Sequence, residues 1–262
     1  MKNSKKMTTQ SLGNTKVSVI IPALNEEKAI GYVLSTLPDF IHQVIVVDNG
    51  STDNTALIAS NAGAVVISEP VRGYGRACVA GMKAATAADI IVFMDADAAD
   101  NPEDMESLIK PILDNSSDMV IGSRLAGTVE KGALTLPQSF GNWLACKLMC
   151  ILWDAPYTDL GPFRALRRSG LMALNMDALT YGWTVQMQVR ALKAGLRVTE
   201  RPVSYAKRIG KSKISGTVRG VVLAGSYILS VIFIEAMRDR HSPFKIDSLQ
   251  GELLPNKSDL KG

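Results

Sequence analysis

Two aspartates separated by one residue, Asp95 and Asp97 in DIIVFMDADAAD, follow a continuous apolar run. Residues i and i+2 of an extended segment point the same way, so a strand that ends here delivers both carboxylates to one place. Two hard oxygen donors suit Mg2+ or Mn2+, bound weakly by the pair alone and firmly once substrate phosphates complete the shell. Polar loops follow two earlier apolar runs as well: Pro22-Ala23-Leu24-Asn25-Glu26-Glu27, and Asp48-Asn49-Gly50-Ser51-Thr52-Asp53. In the first, Pro22 and Asn25 shape a turn and the carboxylates sit at a helix start, where negative charge is favourable. In the second, Ser51, Thr52 or Asp53 caps a helix, which leaves Asp48 to accept hydrogen bonds from a base or a ribose. Arg208-Ile209-Gly210-Lys211-Ser212-Lys213 forms a cationic loop suited to phosphates. Arg72-Gly73-Tyr74-Gly75-Arg76-Ala77-Cys78 has a GxG core after a strand, but it is no dinucleotide fingerprint. Its third glycine position is Cys78, and the first turn of the chain has no glycine at all. It reads as a flexible glycine turn leading a helix.

Placing these loops together requires alternating strands and helices. Short β-branched runs predict strands at Val17 to Ile21, Gln43 to Val47, Ala64 to Ser68, Asp89 to Met94 and Asp118 to Ile121. Helical periodicity predicts helices at Glu26 to Leu37, Asp53 to Ala62, Gly75 to Ala87, Pro102 to Leu113, Pro137 to Leu152, Thr184 to Ala194 and Ser215 to Met237. This alternation is the mark of an α/β fold whose mostly parallel sheet binds ligand at the carboxyl ends of its strands. A single domain over residues 17–237, ending in the apolar helix 215–237, is expected between a frayed tail, 1–16, and a second tail, 238–262.

Composition narrows the function. Of 262 residues, 47% are hydrophobic and 21% charged, enough apolar material for a packed core. Twenty-nine Lys and Arg against 25 Asp and Glu leave a formal charge of +4, too small an excess for a nucleic-acid partner. Three cysteines without a CxxC pair suggest neither a disulfide framework nor a zinc site, and a reducing, cytoplasmic setting is the simplest expectation. Two histidines make a His-centred triad or a multi-His metal site improbable. The uncharged run Gly220 to Ile234 is shorter than the roughly 20 residues of a bilayer span. It reads as a buried core helix, a helix lying on the membrane face or, least of the three, a span. Arg190 and Lys193 read as solvated helix charges.

The ordered motifs VSVIIPALNEE, VIVVDNGSTDNTA, RGYGRA, IIVFMDADAADNPED and VIGSR resemble the family 2 glycosyltransferases of GT-A fold, a Rossmann-like mostly parallel sheet flanked by helices. The later TDLGPFRALRR, YGWTVQMQVRALKAG and RIGKSKISG resemble dolichol-phosphate mannosyltransferases and related polyprenyl-phosphate glycosyltransferases. The resemblance implies that Pro22, Ala23, Asn25, Glu26 and Asp48 line the nucleotide pocket. Asp95 and Asp97 correspond to the DXD motif around the metal. Arg124 and Arg208, with Lys211 and Lys213, lie near donor and acceptor phosphates, and Asp159 is the acceptor-side aspartate. Asp159 either takes a proton from a hydroxyl acceptor or positions neighbours such as Arg164. Two positions depart from the family pattern. Ala99 stands where a further metal ligand, Gln, is frequent, so that Asp100 or water substitutes. Ser139 stands where an acceptor-phosphate Arg is frequent, so that Lys131 or Lys147 supplies the charge. The expected activity is inverting transfer of a hexose from a donor of the GDP-mannose or UDP-glucose type to a polyprenyl phosphate, at the inner face of a membrane or beside a membrane protein. A same-fold enzyme acting on a hydroxyl of a sugar, polyol or lipid, and a non-catalytic nucleotide-sugar-binding subunit, are the alternatives.

Overall fold

The computed structural model describes residues 12–210 and 218–241. Seven strands form one sheet in the order β3-β2-β1-β4-β6-β5-β7. They are β1 (Val17–Ala23), β2 (Gln43–Asp48), β3 (Val65–Ser68), β4 (Ile90–Phe93), β5 (Met119–Val129), β6 (Arg164–Arg167) and β7 (Val198–Tyr205). β1, β2, β3 and β4 pair in parallel, as do β5 and β7, while β6 runs antiparallel to both of its neighbours, β4 and β5. A strand inverted between two others leaves those two parallel, so β1, β2, β4, β5 and β7 all end at one edge and β6 starts there. The chain leaves β1 toward β2 and β3, then crosses back to β4 on the other side of β1. Open α/β sheets bind their ligands at the carboxyl edge beside such a reversal of winding.

Eight α-helices are described: α1 (Ile30–Ser35), α2 (Thr55–Asn61), α3 (Tyr74–Ala84), α4 (Met105–Leu113), α5 (Leu136–Trp153), α6 (Arg168–Ala173), α7 (Trp183–Lys193) and α8 (Val218–His241). A 3-10 turn, Pro102–Asp104, leads into α4. The central strands are buried on both faces, and the two-residue period sorts their side chains. Val17, Val19, Ile21, Val46, Ile90 and Val92 pack with Ile30 and Val33 of α1 and with Leu108, Ile109 and Ile112 of α4. Ile20, Ile45, Val47, Ile91 and Phe93 face Ala77, Cys78 and Met82 of α3 and Trp183 and Met187 of α7. A third cluster joins Ala145, Cys146 and Met149 of α5, Val185 and Val189 of α7 and Ile232 of α8.

Several boundaries differ from the sequence expectation. Leu12, inside the stretch expected to fray, is buried in the first core cluster. The helix after Asn25 begins at Ile30 because Asn25, at φ 53, sits in a left-handed turn first. α8 continues through Arg238 to His241 because Arg238 pairs with Glu235 and with Asp177. Residues 1–11, 211–217 and 242–262, which include Lys211 and Lys213, lie outside the described residues. Arg190 and Lys193 are not solvated charges: they sit 2.9 and 3.0 Å from the carboxylate of Glu235, which is 2% exposed, and so fasten α7 to α8. Among the described residues no helix is long and apolar enough to cross a membrane, which sets aside the spanning reading of Gly220 to Ile234. The run is divided. Ile232 is buried, while Leu223, Tyr227, Leu229, Phe233 and Ile234 are exposed.

Candidate active site

The first two carboxyl-end loops lock together. Asn25 N–H donates to Ser51 Oγ at 2.9 Å and Thr52 N–H donates to Asn25 Oδ1 at 2.7 Å. Glu26 N–H donates to Thr55 Oγ1 at 2.8 Å, and Asp53, Asn54 and Glu27 continue the seam. Pro22 and Ala23 pair in register with Val47 and Asp48, so both loops leave the sheet side by side. Asp48 Oδ1 accepts from Ser51 N–H at 3.1 Å, which gives Asp48 a turn-forming role of its own. Pro22, Ala23, Asn25, Glu26 and Asp48 thus sit together at the carboxyl edge, with the Ala23 side chain buried in the core.

β4 delivers the acidic group next to these loops. Asp95 accepts from Tyr74 Oη at 3.2 Å, and its N–H donates to Asp100 Oδ2 at 3.3 Å. Asp97 is buried; Oδ1 takes the Ala99 N–H at 3.0 Å and Oδ2 lies 3.0 Å from Arg208 Nη1. Asp97 and Arg208 are joined through the backbone too, since Ile209 N–H donates to Asp97 O at 2.9 Å. Burial and the adjoining Asp97 charge push Asp95 up to about 7, against the opposing pull of Arg208, the Tyr74 hydroxyl and Arg124. Burial, Asp95 and Asp97 push Asp100 well above the usual carboxylate range, and its buried Oδ1 has no hydrogen-bond partner among the described residues. Three acids therefore share a space in which they repel each other, a deficit that a cation relieves.

On the far side of β4, the inverted β6 brings the segment before it to the same edge as the end of β5. Arg124 of β5 grips Asp159 in fork geometry: Nε to Oδ2 at 2.8 Å, Nη2 to Oδ1 at 2.6 Å, with its backbone N–H on Oδ2 at 2.7 Å. Burial opposes the Arg124 charge, but the hydrogen bonds and charge of Asp159 outweigh it and raise the pKa further. The guanidinium also stacks 5.1 Å above the ring of Tyr205. Asp159 is fully buried, and Gln188, Glu200 and Asn142 hold its loop: Gln188 Nε2 on Asp159 O at 3.0 Å, Thr158 and Asp159 N–H groups on Glu200 Oε1, and Leu160 N–H on Asn142 Oδ1 at 2.8 Å. Arg164 is not the neighbour that Asp159 positions. Its guanidinium, buried and lowered to about 10 by that burial, binds the carbonyls of Leu160, Gly161 and Thr184 instead.

Tyr74, Glu200 and Tyr205 have no site role in the sequence reading. Tyr74 does stand in the Gly73-Tyr74-Gly75 turn, and Tyr205 is an apolar position three residues before Arg208; Glu200 carries no signal. The glycine turn is not flexible either, because its backbone packs directly on that of Ala178 and Leu179.

Known proteins share this framework. Residues 18–174 match the model of glycosyl transferase family 2. An uncharacterised glycosyltransferase of Mycobacterium tuberculosis is 37% identical over 211 residues, 79% of this chain and 94% of the relative. A dolichyl-phosphate hexose transferase of Haloferax volcanii is 32% identical, over 85% of this chain and 96% of its own length. The undecaprenyl-phosphate mannosyltransferase of Micrococcus luteus is 30% identical, over 78% and 90%. Among solved structures, glucosyl-3-phosphoglycerate synthase of Mycobacterium tuberculosis, in complex with Mn2+, UDP and glucosyl-3-phosphoglycerate, superposes with a TM-score of 0.73 at 23% identity, over 90% of this chain and 87% of that one, which establishes the GT-A fold. With the family model spanning both interlocked loops, the acidic turn after β4 and the Arg124–Asp159 pair, the chain belongs to glycosyl transferase family 2.

Proposed function

We propose that this chain transfers a hexose, with inversion, from a nucleotide sugar of the GDP-mannose or UDP-glucose type to a polyprenyl phosphate. The observation that carries this reading is the meeting of the acidic turn Asp95 to Asp100 with Arg208 and the Asp159-held Arg124 at one carboxyl edge. Asp95 and Asp97 fit a hard divalent cation, Mg2+ or Mn2+: their donors are carboxylate oxygens, and the unpartnered Oδ1 of Asp100 lies in the same turn. Among the described residues no group of three His, Cys, Asp or Glu is arranged to hold a metal ion; two carboxylates alone bind one weakly, and the donor phosphates would complete the shell. When bound, the cation supplies Lewis-acid stabilisation of the leaving diphosphate. Asp48 and the locked loop of Asn25 and Glu26 orient the nucleoside. Arg208, which pairs with Asp97 at 3.0 Å, would meet the charge that grows on the leaving group, and Lys211 and Lys213 follow it in sequence.

The acceptor assignment rests on Asp159. A phosphate monoester is largely a dianion at neutral pH, because its second pKa is about 6, and attacks without a base. A hydroxyl needs a base within hydrogen-bond reach. Both oxygens of Asp159 are taken by Arg124, which fits a positioning role better than proton abstraction. Two relatives whose names specify dolichyl-phosphate or undecaprenyl-phosphate support the same acceptor class. Ser139 favours the rival hydroxyl acceptor, since no arginine stands there.

A lipid acceptor also calls for a membrane surface. α5 presents Leu136, Phe140, Trp143 and Ile151 on one face, with Leu136 87% and Trp143 56% exposed, and the adjoining α8 adds Phe233 at 65%. Asn142 ties α5 to the Asp159 loop. These features support work at the cytoplasmic face of a membrane. The test is turnover of wild type and Asp159→Asn on polyprenyl phosphate and on a panel of hydroxyl acceptors. Transfer to polyprenyl phosphate is expected from wild type. Transfer to an alcohol alone, abolished in a folded Asp159→Asn, would establish the rival.

A further inference from the structure

The tyrosine between the two glycines of RGYGRA has no part in the chemistry above, yet its surroundings are unusually constrained. At Gly73, φ is +154, and a Cβ would lie 2.4 Å from Leu179 O; at Gly75 it would lie 2.0 Å from Ala178 O. Neither obstacle is a side chain that can swing aside, so only glycine permits this approach. Arg76 N–H then donates to Leu179 O at 3.1 Å. On the other side Gly73 N–H donates to Asn49 Oδ1 at 2.8 Å, while Asn49 Nδ2 donates to the carbonyls of Glu69 and Val71, both at 2.9 Å. Asn49 is itself buried in the loop after β2. The backbone of Tyr74, the first residue of α3, is thereby clamped between two parts of the fold, and its hydroxyl donates to Asp95 Oδ1 at 3.2 Å.

We propose that Tyr74 is a positioning residue for Asp95, its hydroxyl holding the carboxylate in one orientation before a divalent cation arrives. The inference deepens, and rests on, the proposed cation site at Asp95 and Asp97. Hydrogen bonds that orient a metal ligand from outside the coordination shell are worth roughly 10- to 100-fold in metal affinity. That effect requires a donor that is itself held in place, which is what the two glycines and Asn49 provide.

Tyr74→Phe keeps the ring and removes only the hydroxyl. Mn2+ binding in the presence of saturating GDP or UDP, followed by calorimetry and by the Mn2+ electron paramagnetic resonance signal, is expected to weaken by about tenfold in Tyr74→Phe. The metal-free protein should stay folded, its melting temperature lowered by no more than the loss of one hydrogen bond accounts for. In turnover assays the Mn2+ concentration for half-maximal rate should rise, while the rate at saturating Mn2+ recovers to that of wild type; a general packing defect would produce no such split. Tyr74→Met, which also lacks the hydroxyl, should weaken Mn2+ binding to a similar degree. Equal Mn2+ affinity in wild type and both folded variants overturns the role of Tyr74 and leaves the cation site standing. Absence of Mn2+ binding by wild type in the presence of either nucleotide overturns the cation site, and the role of Tyr74 with it.

Discussion

Glu235 on α8 and the aspartates after β4 are drawn into the protein, Glu235, Asp97 and Asp100 buried and Asp95 half-buried, and the protein treats them in opposite ways. Glu235 is met by Arg190 at 2.9 Å, Lys193 and Arg238 at 3.0 Å and the amide of Gln186 at 3.2 Å. Burial raises its pKa, but those hydrogen bonds and charges outweigh the effect, and the carboxyl is held below its usual range. The Asp95, Asp97 and Asp100 group has Arg208 as its close ion-pair partner, and Asp95 and Asp100 are pushed upward. A carboxylate that its own fold satisfies fastens one helix to another. A group that the described residues leave short of positive charge at a sheet's carboxyl edge is instead a candidate for binding a cation, as proposed above.

The largest effects should separate the two groups by kind. Asp97→Ala should lower kcat on the order of 10³-fold while the protein stays folded, because charge stabilisation in the transition state is lost and a core contact is not. Wild-type turnover in that variant would erase the contrast from the catalytic side. Glu235→Gln should do the reverse: three cations then share a neutral partner, at a cost of about 3 kcal/mol in denaturant unfolding, with turnover per folded molecule unchanged. Stability equal to wild type would show that the ion group is ornamental.

A smaller effect concerns pH. Asp95 has a folded-state pKa of about 7, above its unfolded value of 3.8, so folding binds an extra proton between them. Metal-free stability should therefore fall through this group as pH rises from about 4 through 7, and Asp95→Asn should flatten that fall. Glu235, held below its ordinary value of 4.5, contributes the opposite trend, stability present above that value and lost as pH falls below it. Because a cation needs the ionised carboxylate, the rise in melting temperature on adding Mn2+ should be larger at about pH 8 than at about pH 6. Melting curves with and without Mn2+ across that range check both signs.

The sequence made some of this legible and hid the rest for physical reasons. β1, β2 and β4 announce themselves as apolar runs because both of their faces are buried, and Asp95 and Asp97 stand out because they follow such a run directly; β4 ends at Phe93, however, so the turn after it, and not the strand period, sets how the two carboxylates sit. β6 is four residues with arginine at each end, and it passes for a loop because Arg164 satisfies its charge with backbone carbonyls. β7 is an edge strand carrying Pro202, a residue that argues against a strand when met in sequence. Arg124 and Asp159 are 35 positions apart and meet only because β6 is inverted, so family resemblance pointed to them where spacing could not. Arg190 and Lys193 look solvated until α8 returns Glu235 across 45 and 42 positions. The rigidity of the Gly73 and Gly75 turn likewise depends on Ala178 and Leu179, a hundred or so residues downstream.

The central claim is that nucleotide-sugar chemistry is centred on Asp95 and Asp97. Calorimetric titration of GDP and UDP into wild type and Asp97→Ala, each with and without Mn2+, tests it most directly. The account predicts that one of the two nucleotides binds wild type tightly only when Mn2+ is present, and that Asp97→Ala loses the metal-dependent part while remaining folded. Binding of equal strength with and without Mn2+, unchanged by Asp97→Ala, would contradict it.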